Sequence, residues 1–103
     1  MQIQVNTDKN ASGNEDLIAS STDLISEELR RYSEQITRLE VHFSDEDGKK
    51  EGFNDKRCLV EARLAGMKPV AVTHQANTHE QALSGSIIKL KTSLEKIIGR
   101  LKV

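Results

Sequence analysis

Basic residues near the end of the chain have the spacing best suited to binding a ligand. Lys89, Lys96 and Arg100 follow one another at intervals of seven and four residues. On a helix this spacing puts all three within about 40° of one another, in a row along one flank. Such a row fits a phosphate backbone, which lysine and arginine bind through their charge. A single exposed lysine is more simply part of a solvated face, and it is the row that favours phosphate binding.

Five further basic residues are secondary candidates for the same role. They are Arg38, Lys56, Arg57, Arg63 and Lys91. Lys91 belongs to the opposite flank of the same helix. Arg38 and Arg63 are predicted on the open face of a sheet, where pairing with Glu40 and Glu61 is an equally good explanation. Lys56 and Arg57 directly follow a polar loop, residues 45–55. Within this loop, Lys49 and Lys50 also lie beside acids.

No set of residues indicates catalysis, a metal or a cofactor. His42, His74 and His79 fall on different predicted elements, with the first two on opposite faces of the sheet. The acidic stretch at residues 45–48 lacks the glycine position and the closing glutamate of a calcium loop. Cys58, the only cysteine, alternates with apolar residues and is expected in the core. We therefore expect a protein that is not an enzyme, since neither a nucleophile–histidine set nor a glycine-rich phosphate loop is present.

The totals fit one soluble domain over residues 1–103. The net charge is −1, so any nucleic-acid binding must depend on locally sorted charge and not on a positive field of the whole molecule. The chain lacks a signal-peptide start and a run long enough to cross a membrane, which predicts a cytoplasmic protein without a membrane partner. Only three residues are aromatic, and this argues against base stacking of single strands.

The helix that carries the basic row is predicted over residues 78–103. Thr78 is a suitable N-cap, and Glu80 in the first turn suits the helix dipole. Apolar residues recur at spacings of three and four, at Leu83, Ile87, Leu90, Leu94, Ile97 and Leu101. They form a stripe about 80° wide, so one face of this helix should be buried while its flanks stay exposed.

Alternating apolar and polar residues predict four strands, at residues 2–6, 36–44, 57–65 and 70–76. A first helix is predicted from a capping box at Ser12 to Glu15 as far as Tyr32, with Ile18 on its apolar side. This helix is net acidic and is a poor candidate for holding phosphate. The order β-α-β-β-β-α predicts an α+β fold, in which two helices cover one face of a four-stranded mixed sheet.

Charges on the open face of the sheet predict how the second and third strands pair. Setting Glu40 opposite Arg63 and His42 opposite Glu61 joins opposite signs. A shift by two residues would oppose Arg38 to Arg63 and Glu40 to Glu61, so we expect the first arrangement. The turn at residues 66–69 must keep the apolar side chains of the fourth strand inward, which needs an odd-length turn or a bulge, and Gly66 could supply it.

Several stretches resemble the ribosome hibernation-promoting factor family, also called ribosome-associated inhibitors or sigma-54 modulation proteins. They are the start MQIQV, residues 36–44 (ITRLEVHFS), residues 61–66 (EARLAG) and residues 78–91, in which QALSG at residues 81–85 precedes Lys89 and Leu90. The similarity extends over essentially the whole chain and includes the order of its elements.

The resemblance implies an RNA-binding fold akin to double-stranded-RNA-binding domains. It implies a protein that occupies the decoding channel of the small ribosomal subunit under stress or in stationary phase, with ribosomal RNA as its partner and no small-molecule substrate. Longer members carry a C-terminal dimerisation domain, so this chain resembles a short form, a monomer or weak homodimer. Thr92, Ile97 and Ile98 stand where the family has more basic residues, which predicts weaker RNA affinity or a different target.

A protein-interaction module is the alternative function. The open sheet face, or the edge of the fourth strand, would then receive a protein partner, as in modulation of a sigma factor or in homodimerisation. Salt dependence distinguishes the two hypotheses, because RNA binding weakens steeply as salt rises and a protein interface responds less.

Overall fold

Seven elements follow one another in a computed structural model that describes residues 1–7, 15–45 and 55–101. The side chains of Arg100 and Leu101 lie outside the described part of the chain. The elements are β1 (Gln2–Thr7), α1 (Glu15–Glu28), a 3₁₀ turn (Arg30–Tyr32), β2 (Ile36–Asp45), β3 (Lys56–Leu64), β4 (Val70–Ala76) and α2 (His79–Leu101). The predicted order β-α-β-β-β-α and the α+β class are confirmed.

The four strands form one sheet in the order β1-β2-β3-β4. β1 runs parallel to β2, because α1 connects them, and the other neighbours are antiparallel. β1 and β4 are therefore the edge strands. The turn before β4, residues 65–69, has an odd length, which is one of the two solutions expected from the sequence. It contains Gly66 at φ 71°, a left-handed conformation that glycine adopts without strain.

A single apolar cluster lies between one face of the sheet and the two helices. From the sheet it takes Leu39, Val41, Phe43, Cys58, Val60 and Ala62, and from the helices Leu17, Ile25, Leu83, Ile87, Leu90 and Leu94. Cys58 is fully buried in this cluster, as expected, and its burial raises the pKa of the thiol to about 11. Neither helix has the length and apolar character needed to cross a bilayer over the described residues.

The pairing of β2 with β3 differs from the prediction. Arg38 lies opposite Arg63, and Glu40 lies opposite Glu61. Each glutamate is instead paired along its own strand, with 2.9 Å between Arg38 and Glu40 and 3.6 Å between Arg63 and Glu61. Residues two apart share a face of the sheet, so charges can be matched within each strand in either register. Cross-strand charge therefore did not determine the pairing.

At the loop end of the β2–β3 hairpin, the observed register brings opposite charges together. Asp45 lies opposite Lys56, and 2.7 Å separates the carboxylate from the ammonium. Lys56 also contacts Asp55 at 3.3 Å. The hydrogen bond to Asp45, more than any other interaction, raises the pKa of Lys56. Most of the polar loop that joins the strands, residues 46–54, lies outside the described residues.

α1 is shorter than predicted and presents a different face. It ends at Glu28, and the 3₁₀ turn carries the chain on to Tyr32. Its buried line follows Leu17, Ser21 and Ile25, at intervals of four residues. Ile18 lies beside this line and is 39% exposed, so its predicted place on the apolar side was wrong. Residues 12–14 of the capping box predicted at Ser12 to Glu15 fall outside the described part of the chain, and α1 begins at Glu15.

Candidate nucleic-acid interface

The rotation of α2 about its axis is fixed by its N-cap and its buried stripe. The amide of Gln81 donates to the Thr78 hydroxyl at 3.1 Å, which confirms Thr78 as the N-cap. Leu83, Ile87 and Leu94 are almost completely buried against the sheet. With the apolar face held inward, the two flanks of α2 must face β4 on one side and α1 on the other.

The flank along β4 carries the predicted basic row. Gly85 lies so near the imidazole of His74 that a Cβ there would come within 3.0 Å of the ring. One turn later, the Lys89 ammonium donates to the main-chain carbonyl of Thr73 at 2.8 Å. Lys96 is seven residues further and so lies on the same flank, about 10 Å along the axis from Lys89. We call Gly85, Lys89 and Lys96 the β4-side flank.

Lys89 and Lys96 are not neutralised by acids. Both side chains are exposed, and no carboxylate in the described ranges lies within 4.0 Å of either ammonium. The partner of Lys89 is a neutral carbonyl, which is a weaker acceptor for an ammonium than a phosphate oxygen. The backbone of α2 continues along this flank to Arg100, whose side chain is outside the described part of the chain. The row is therefore described for two of its three members.

The opposite flank of α2 joins it to α1 and the 3₁₀ turn. Lys91 pairs with Glu28 at 2.9 Å, and Arg31 pairs with Glu95 at 3.2 Å. The Tyr32 hydroxyl donates to the same Glu95 carboxylate. Burial, and secondly this hydrogen bond, raise the pKa of Tyr32. Lys91, a predicted RNA-binding residue, thus connects the two helices and does not share the environment of the β4-side flank.

Basic residues on the open sheet face are compensated by acids. Arg38 pairs with Glu40, and it donates to the side-chain amide oxygen of Gln4. Arg63 pairs with Glu61. The carboxylates of the two glutamates face one another across β2 and β3, so any anion that approached these arginines would also meet two negative charges. The pairing that the sequence offered as an equal alternative is the arrangement found.

Lys56 and Arg57 differ from each other in their surroundings. Lys56 lies between Asp45 and Asp55, whose side chains are only 9% and 6% exposed, so it compensates two largely buried acids. Arg57 borders a hollow on the open face together with Asn6 and His42. The structure does not join these two residues to the β4-side flank.

The three histidines lie apart. His74 is under α2, His42 is on the open face, and His79 meets the ring of Phe43 edge-on, with 5.3 Å between centroids. No group of three His, Cys, Asp or Glu side chains is arranged to hold a metal within residues 1–7, 15–45 and 55–101.

Two contacts that shape this interface were not anticipated from the sequence. They are the hydrogen bond from Lys89 to the β4 backbone and the junction of Arg31, Tyr32 and Glu95. A signal for the first was present in the mid-helix Gly85, one turn before Lys89. Glycine within a helix costs about 1 kcal/mol relative to alanine, and such a position often marks a close approach of neighbouring elements.

No protein-family model and no curated protein matches this chain. Solved structures do match it. The N-terminal domain of Protein Y from Thermus thermophilus is 16% identical, with 94% of this chain and 99% of that chain covered and a TM-score of 0.73. A ribosomal subunit interface protein from Coxiella burnetii is 17% identical, with 96% and 99% covered and a TM-score of 0.74. The chain has the fold of these two proteins. The resemblance read from the sequence is confirmed at the level of the fold.

Proposed function

We propose that this protein binds the small ribosomal subunit through the β4-side flank of α2 and inhibits translation without catalysis. The observation that carries the proposal is the pair of exposed ammonium groups, Lys89 and Lys96, with no carboxylate near them in the described structure. The shared fold supports it, because one of the matching proteins is described as a ribosomal subunit interface protein.

Electrostatic competition explains why this flank is the better surface for phosphate. When a phosphate approaches Lys89, the lysine exchanges a neutral carbonyl for a charged acceptor, and the exchange is favourable. At Arg38 or Arg63 the same phosphate must displace a glutamate that then stays within a few ångströms of it. Two like charges at 4 Å repel by about 1 kcal/mol even in water. The favourable exchange at Lys89 and the repulsion at the sheet together favour phosphate binding at α2.

The inhibitory action is occlusion of the decoding channel, where the chain would exclude messenger and transfer RNA. The acidic α1 lies on the other side of α2 from the β4-side flank, and this distribution would orient the protein with α1 away from the RNA. Action under stress or in stationary phase, and a location in the cytoplasm, belong to the same proposal. Lys91, Arg38, Arg63, Lys56 and Arg57 would contribute less, and Arg100 would extend the row.

Sedimentation with purified small subunits at increasing salt tests the proposal. Two phosphate contacts predict that the association constant falls about tenfold between 50 and 200 mM salt. Transfer RNA bound to the same subunits should be displaced as the protein binds. Binding that does not respond to salt would contradict an RNA interface and favour a protein-interaction module. Binding without displacement of transfer RNA would contradict the decoding channel as the site.

A further inference from the structure

β4 is an edge strand whose composition would permit pairing with another strand. Its seven residues, VAVTHQA, include no Asp, Glu, Lys, Arg or Pro. Among the described residues, β3 is its one neighbour within the sheet. An uncharged edge of this length presents main-chain N–H and C=O groups to any strand that approaches, and natural sheets usually block such edges with charge, most often lysine.

Lys89 supplies a charge at the middle of this edge from the neighbouring helix. Thr73, whose carbonyl receives the Lys89 ammonium at 2.8 Å, is the central residue of β4. The contact occupies an acceptor in the backbone of the strand and leaves a cation beside it. Lys96 lies two turns further along α2, and no hydrogen bond from it to β4 occurs in the described structure.

We propose that the edge of β4 is a pairing surface for β4 of a second copy of this chain, and that Lys89 keeps this surface closed. An antiparallel pair centred on Thr73 sets Val72 opposite His74 and Ala71 opposite Gln75, so no like charges of the two strands meet. The pairing is self-complementary, as a two-fold interface requires. It also brings the two Lys89 ammonium groups toward the axis, where their repulsion opposes association.

The area of this surface limits how tight the pairing can be. A seven-residue edge alone buries less than the roughly 1,000 Å² of a specific stable interface. The dimer released by loss of Lys89 is therefore weak and forms at high protein concentration. The inference does not depend on ribosome binding, because the contact between Lys89 and Thr73 exists within the chain itself.

Sedimentation equilibrium of purified protein, from micromolar to millimolar concentration, tests the inference with matched variants. Lys89→Ala should associate toward twice the monomer mass, with an association constant at least about tenfold above that of Lys96→Ala. Both variants remove one exposed ammonium from the same flank. If Lys89→Ala behaves like Lys96→Ala at every concentration, the proposal is wrong.

A second variant tests where the association occurs. Lys89→Ala combined with Thr73→Lys returns a cation to the centre of the β4 edge, this time from the strand itself. This double variant should be monomeric again, with the circular dichroism spectrum of the parent. Continued association of the double variant would place the interface elsewhere and would overturn the proposal.

Discussion

The β4-side flank of α2 and the open face of the sheet carry similar positive charge but present it differently. On the flank, neither Lys89 nor Lys96 has a carboxylate within 4.0 Å of its ammonium among the described residues. On the sheet, Arg38 and Arg63 each lie within 4.0 Å of a glutamate on the same strand. The number of basic residues is therefore a poor measure of an anion site, because nearby carboxylates decide how much positive charge a phosphate meets.

The difference follows from the local geometry of helix and strand. Along a strand, residues two apart share a face, so a sequence that alternates Arg38 with Glu40 compensates itself. Along a helix, residues seven apart share a flank, and in α2 the side chains that lie between Lys89 and Lys96 on this side, Thr92 and Ser93, carry no charge. A near-neutral chain can therefore still present one cationic surface.

Reversal of charge on the two surfaces should give the largest contrast. Lys89→Glu with Lys96→Glu should abolish sedimentation with ribosomes, a loss of at least about 100-fold in affinity, or about 1.4 kcal/mol for each tenfold. The control is Arg38→Glu with Arg63→Glu, which changes the net charge equally and should cost much less. Both double variants should keep the circular dichroism spectrum of the parent.

Equal losses for the two double variants would mean that net charge, and not the β4-side flank, governs binding. An undiminished affinity after reversal of both lysines would remove α2 from the interface.

Two glycines of α2 test how the flank is held against β4. Gly85→Ala should destabilise the fold by about 1–3 kcal/mol, because its methyl group would overlap the His74 ring. Gly99→Ala, whose methyl group meets nothing within 4 Å, should instead be neutral or stabilising by up to about 1 kcal/mol. Urea denaturation of both variants measures these changes. Similar effects of the two substitutions would contradict the close approach of α2 to β4.

Removal of the acids from the open face should have the smallest effect. Glu40→Gln with Glu61→Gln loses two partly exposed ion pairs, each contributing about 0–1 kcal/mol, but also removes two opposed carboxylates. We expect stability to stay close to that of the parent and ribosome affinity to rise slightly, because the arginines that lose their counter-charges can then attract phosphate. An unchanged or reduced affinity would show that the glutamates are not what makes the sheet a poor phosphate site.

The sequence predicted the fold from periodicity and turn chemistry. The stripe from Leu83 to Leu94 and the N-cap at Thr78 depend on local spacing, so they could be read without coordinates. The register of β2 with β3 could not, because a shift by two residues leaves every side chain on its face. The prediction for Ile18 was wrong because the buried face of α1 includes Ser21. Ser21 is polar, so hydrophobicity alone does not identify it as a buried residue.

The candidate site was only partly accessible from the sequence. The row on α2 follows from intervals of seven and four, but which cations are neutralised depends on partners far along the chain. Lys91 meets Glu28, and Lys56 meets Asp45, through tertiary contacts and the hairpin register. The contact of Lys89 with Thr73 likewise joins residues that only the packing of α2 on β4 brings together.

The salt dependence of binding to small ribosomal subunits tests whether Lys89 and Lys96 form the contacts with RNA phosphate. The slope of log K against log salt should become shallower by about one for each lysine replaced in Lys89→Ala with Lys96→Ala. The slope for Arg38→Ala with Arg63→Ala should match that of the parent. A parental slope in the lysine variant, together with a shallower slope in the arginine variant, would contradict the account and assign the RNA contacts to the sheet.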